Sequence, residues 1–107
     1  MNDRKLDLVL ATLRRRFEEI YGERLVRMVL YGSQARGEAE PGSDIDVLVV
    51  LGGPVNSGEE IARTGGAVAD LSLRFGEVVS CVFVDEERFA HRNGPFLRNI
   101  RREGITL

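Results

Sequence analysis

The segment Ile45-Asp46-Val47-Leu48-Val49-Val50-Leu51 is apolar on both faces after its first two residues. A strand of this kind has no side to show to water, so it must be covered from both directions. The chain has 107 residues, enough for one domain with one core and too few for two. Helices therefore have to supply the cover, and the rest of the chain can be read for them.

Leu6, Leu10, Leu13, Phe17 and Ile20 recur at spacings of three and four, one face of an amphipathic helix. Asn2 or Asp3 can cap it, Gly22 can end it, and Arg14-Arg15-Arg16 falls on its polar side. Residues 25–31 read as a strand that Gly32-Ser33 breaks. A short helix is expected over 34–38, kept short by Gly37 and the Pro41-Gly42 turn. After the central strand, Gly52-Gly53-Pro54 is a stop. Ser57 with Glu60 is a capping-box pattern that opens a helix carrying Ile61, Val68, Leu71 and Phe75 inward. Gly65-Gly66 weakens that helix and Gly76 can close it. Residues 78–84 form a third strand, and Asp85 caps a helical turn through Phe89. Asn93-Gly94-Pro95 is a turn, 96–102 a last helix with Gly104 beyond it, and 105–107 a short edge strand. The expected fold is α/β (α+β), a small mixed β-sheet flanked by helices, in a single domain over residues 1–107.

Fifteen basic against seventeen acidic residues give a net charge of −2. That argues against broad nucleic-acid binding, which leaves a basic excess. Cys81 is the only cysteine, so neither an internal disulfide nor a thiolate metal cluster can form, and its apolar surroundings predict a buried structural thiol. The longest apolar run is far short of the roughly 20 residues that cross a membrane. The first residues, Met1-Asn2-Asp3-Arg4-Lys5, lead into a charged helix and not a secretory core, so the expected location is cytoplasmic.

The chemistry concentrates in Tyr31-Gly32-Ser33-Gln34-Ala35-Arg36-Gly37-Glu38 and Ser43-Asp44-Ile45-Asp46. Gly32 lets the backbone turn sharply and a phosphate approach closely. The amides that follow open a helix N-terminus, which favours anions, and Ser33 adds a hydroxyl. Such a junction alone is common and mostly structural. Asp44 and Asp46, two residues apart, share one face at the wet end of a buried strand. Paired carboxylates repel unless a cation lies between them, and hard oxygen donors suit Mg²⁺ with substrate phosphates. Phosphates at Gly32-Ser33 and metal at Asp44 and Asp46 would serve an in-line displacement at phosphorus, with ions roughly 4 Å apart.

Gly32-Ser33, ten residues, then Asp44-Ile45-Asp46 resembles the signature of the DNA polymerase β nucleotidyltransferase superfamily. The fuller strings are similar to its smallest members, the MNT or MntA-like minimal nucleotidyltransferases, and the resemblance covers nearly the whole chain. It implies that Gly32 and Ser33 bind the triphosphate of ATP or another NTP, and that Asp44 and Asp46 hold Mg²⁺. Arg36 would match the family's motif arginine, a phosphate contact; a surface salt bridge with Glu40 is the structural alternative. Members are often encoded beside HEPN-domain ribonuclease toxins. The resemblance thus implies an antitoxin that transfers AMP from ATP to a tyrosine of a HEPN toxin, possible as a homo- or hetero-oligomer.

The superfamily's third carboxylate belongs near Ser80, where this chain has no acid. Glu77, at the strand entrance, is a candidate substitute or an ordinary solvated glutamate; Asp85 lies at the far end and reads as an N-cap. The lone His91 lacks partners at ligand spacing, and the arginines at 98, 101 and 102 read as a solvated face or a dock for an acidic partner. Two other functions stay open: a non-catalytic module that neutralises its partner by occlusion, and a transferase acting on a small molecule or an RNA end.

Overall fold

The doubly apolar strand is the interior of a four-stranded sheet. The computed structural model describes residues 3–107. Its order is α1 (Asp3–Tyr21), β1 (Leu25–Tyr31), α2 (Gly32–Arg36), β2 (Ile45–Leu51), α3 (Ser57–Phe75), β3 (Val79–Asp85), α4 (Glu86–His91), α5 (Pro95–Glu103) and β4 (Ile105–Thr106), with a 3-10 turn at Gly22–Arg24. The strands lie in the order β3-β2-β1-β4. β1 runs antiparallel to β2 and β4, and β2 runs parallel to β3, so the sheet is mixed as expected.

Alternation along β2 divides the core. Ile45, Val47, Val49 and Leu51 face α1 and α3, where they meet Leu13, Phe17, Met28, Leu71 and Phe83. Leu48 and Val50 face the other way, onto Val29, Phe89 of α4 and Ile100 of α5. Every residue from Val47 to Leu51 is within 1% of full burial, which is why neither face of this strand could be polar. Each such side chain contributes about 1.5–3 kcal/mol of hydrophobic stabilisation.

Several boundaries differ from the sequence expectation. The short helix starts at Gly32, two residues early. Asn56, not Ser57, caps α3, its side chain accepting from the Glu59 N–H at 3.0 Å. Glu60 is therefore no capping residue: its carboxylate is buried and accepts from Tyr21 Oη (2.8 Å), Arg63 Nε (3.0 Å) and Arg24 Nη1 (3.2 Å). Ile61 is 57% exposed, because the buried side of α3 carries Glu60, Thr64, Ala67 and Leu71, with Val68 and Phe75 partly covered. Val78 is exposed and precedes β3. Asp85 caps α4 as expected, accepting from the Arg88 N–H at 2.8 Å. The proposed Asn2 cap lies outside the described residues. Among those residues no helix is long and apolar enough to cross a membrane.

Candidate active site

Antiparallel pairing sets Tyr31, the last residue of β1, opposite Asp46 of β2. The next residue, Gly32, turns the chain into α2 with φ +75°, a conformation that L side chains rarely adopt. A Cβ added to Gly32 would lie 2.5 Å from Asp46 Oδ2. Glycine is needed here twice over, for the turn and for the carboxylate packed against it. The first half of the motif thus touches the second through space, although residues 34–43 separate them in the chain. Ser33 follows in the first turn, half-buried, and its carbonyl accepts from the Glu38 N–H at 2.9 Å. With only five residues α2 has little dipole to offer. Attraction for a phosphate would rest on the amides its short first turn leaves unpaired.

Asp44 is exposed just before β2, and Asp46 is half-buried within it. Burial raises the Asp46 pKa above its ordinary value, the Asp44 charge adds to the rise, and Arg36 opposes it. Both carboxylates are hard oxygen donors, and the Asp44 charge makes ionisation of Asp46 harder. That is a donor set a divalent cation would relieve. Tyr31 is shifted upward in turn, by burial first, then by Asp46 and Cys81.

Arg36 pairs with Glu38 at 3.0 Å and reaches Glu103 of α5 at 4.0 Å. Glu40 is not its partner: that residue and Ser43 bond each other, closing the turn before Asp44. The hydrogen bond that Arg36 Nε donates to Glu38 is the first cause raising the Arg36 pKa. The guanidinium is exposed yet close enough for Asp46 to feel its charge.

The parallel register pairs Asp46 with Ser80, so a hydroxyl occupies the row on β3 where a third acid would stand. Glu77 does not join the two aspartates. It accepts from Lys5 Nζ of α1 at 3.1 Å, on the opposite side of the sheet from Tyr31 and Asp46. Among the described residues no three of His, Cys, Asp and Glu are grouped to hold a metal. Burial pushes the Cys81 thiol up to about 12, which fits a structural thiol. His91 lies at the other end of the molecule, lining an open depression with Gly53, Pro54 and Asp85.

One neighbour of the site has no signal in the local sequence. Phe96, at the start of α5, meets Tyr31 edge to face with ring centroids 5.5 Å apart. Only the fold brings it there. The Glu103 contact to Arg36 was equally hidden.

The family model for the nucleotidyltransferase domain matches residues 10–103. A Methanocaldococcus jannaschii protein named a putative protein adenylyltransferase is 35% identical over 88 residues, covering 81% of this chain and 82% of that relative. The crystal structure of a toxin–antitoxin with AMP-PNP has a TM-score of 0.61 at 15% identity, over 99% of this chain and 72% of that one. A structure of the toxin–antitoxin MntA–HpeT gives 0.57 at 12% identity, over 99% and 71%.

Proposed function

The chain belongs to the nucleotidyltransferase domain family, and from that premise we propose that it transfers AMP from ATP to a tyrosine of a HEPN toxin, as an antitoxin. The contact of Gly32 with the Asp46 carboxylate carries this reading, because it sets the bend read as a phosphate cradle against one of the two acids read as metal ligands. Gly32 and Ser33 would bind the triphosphate. Asp44 and Asp46 would hold Mg²⁺, which supplies charge neutralisation at phosphorus when bound. Arg36, paired with Glu38 and Glu103, would supply a phosphate contact from the end of α2. The acceptor oxygen, its proton released to water, attacks the α-phosphorus, the bond to the α–β bridging oxygen breaks, and pyrophosphate leaves.

Ser80 bears on the acceptor. The row beside Asp46 offers no carboxylate to take the acceptor's proton. A phenol, with a pKa near 10, gives up its proton far more readily than an aliphatic alcohol, so a tyrosine suits this site. The adenylyltransferase name of the archaeal relative and the toxin–antitoxin structures support a protein acceptor.

The test is transfer of label from ATP marked at its α-phosphate, with Mg²⁺ and the partner present. Label is expected on the partner with the native chain, and not with Asp44→Ala or Asp46→Ala. The missing acid at Ser80 also favours a second reading, neutralisation by occlusion; tight partner binding without label transfer would select it.

A further inference from the structure

We propose that Phe96, braced on Tyr31, is the shelf on which the nucleobase of the bound triphosphate stacks. The inference rests on the reading of Gly32-Ser33 and the two aspartates as the triphosphate and metal site.

Phe96 is 49% exposed, whereas Phe17, Phe83 and Phe89 are all buried at 9% or less. An aromatic ring half-open to water is unexceptional alone. Its position is what matters. Tyr31 meets Phe96 with an interplanar angle of 88°, so the tyrosine braces the phenylalanine edge to face while about half of Phe96 stays open to solvent. Tyr31 is itself opposite Asp46 in register and precedes Gly32. Phe96 is therefore separated from Asp46 by one cross-strand pair and one ring contact, a path on the order of 10 Å. That is about the gap a ribose and its 5′-phosphate bridge. The far end of the same helix reaches Arg36 of α2 through Glu103, so α5 borders the end of β1 at its start and α2 at its finish.

An aromatic face binds any base by stacking and reads its area more than its edge. Purines should gain more than pyrimidines, with little discrimination between adenine and guanine.

The experiment is calorimetric titration with Mg²⁺ of the native chain, Phe96→Ala and Phe96→Tyr, using ATP, UTP and inorganic tripolyphosphate. In the native chain ATP should bind more tightly than UTP or tripolyphosphate. Phe96→Ala should weaken ATP at least about fivefold, the low end for loss of a base–aromatic stack. It should leave tripolyphosphate unchanged and narrow the gap between ATP and UTP; Phe96→Tyr should restore ATP binding. Equal weakening of ATP and tripolyphosphate, or ATP affinity unchanged in Phe96→Ala, overturns the shelf while leaving the triphosphate site standing. Failure of the native chain to bind either ATP or tripolyphosphate overturns both.

Discussion

At the scale of single residues, the site depends on one missing side chain. Gly32 combines a positive φ, strained for any side chain, with contact against Asp46, so a Cβ there would have to displace the Asp46 carboxylate. Gly32→Ala should cost about 1–2 kcal/mol in urea unfolding through backbone strain alone. It should also weaken Mg²⁺–nucleotide binding more than tenfold, because the Asp46 carboxylate must move. The acid pair gives a second expectation. The Asp46 pKa is raised, so in metal-free protein the stability linked to this group is complete below its unfolded value. It is lost as pH rises through the folded one. Without Mg²⁺, Asp46→Asn should melt at a higher Tm than the native chain at pH 7, and added Mg²⁺ should narrow that gap. Both aspartates and Gly32 were legible in the sequence because a glycine bend and alternate acids on an apolar strand have few other uses together. The contact between them was not, since it depends on the Tyr31–Asp46 register.

At the scale of elements, the two ends of the sheet do different work. The end carrying Gly52 is closed by a buried network. Glu60 of α3 binds Tyr21 at the end of α1 and Arg24 of the 3-10 turn, and Arg24 also donates to the carbonyls of Gly52 and Pro54. Burial alone would raise the Glu60 pKa, but the hydrogen bonds from Tyr21 and Arg63 and the Arg24 charge outweigh it, so the net shift is downward. Glu60→Ala leaves the buried Tyr21 hydroxyl without its acceptor and takes the carboxylate from Arg24, which keeps its two carbonyls, so it should cost about 1–3 kcal/mol by urea unfolding at pH 7. The stability Glu60 contributes is complete above its unfolded pKa, near 4.3, and is lost as pH falls through the lower folded value. Glu60→Gln should therefore lose less stability than the native chain between pH 5 and pH 3. The sequence suggested a helix cap at this residue because Ser57 stands three positions before it. Asn56 took the cap, and the long-range partners that bury Glu60 leave no local pattern. Gly104 shows the same limit. It reads as a helix stop, yet its φ is −70° and a Cβ there would sit on Val29 Cγ1 and the Ile100 carbonyl. Its reason is the close docking of the chain on β1.

For the whole molecule, an apolar strand flanked by amphipathic segments was enough to foresee a mixed sheet with helices on both faces. The central strand and β1 came out at their expected ends because glycine and proline punctuate them sharply. What one-dimensional pattern could not supply was the choice of neighbours: Ser80 beside Asp46, Glu77 turned to Lys5, and Phe96 laid against Tyr31. Those neighbours decide what the domain offers a substrate. It presents a cradle and an acid pair on one rim and a closed polar network at the other, with no carboxylate from β3 beside the reacting groups. On the proposed reading, the acceptor would bring a readily ionised hydroxyl to the open rim. The most direct test of this arrangement is calorimetric binding of Mg²⁺–AMP-PNP to the native chain and to Asp44→Asn and Asp46→Asn. Saturable one-to-one binding that either substitution abolishes is the expected result; binding that survives both, or none to the native chain, would contradict it.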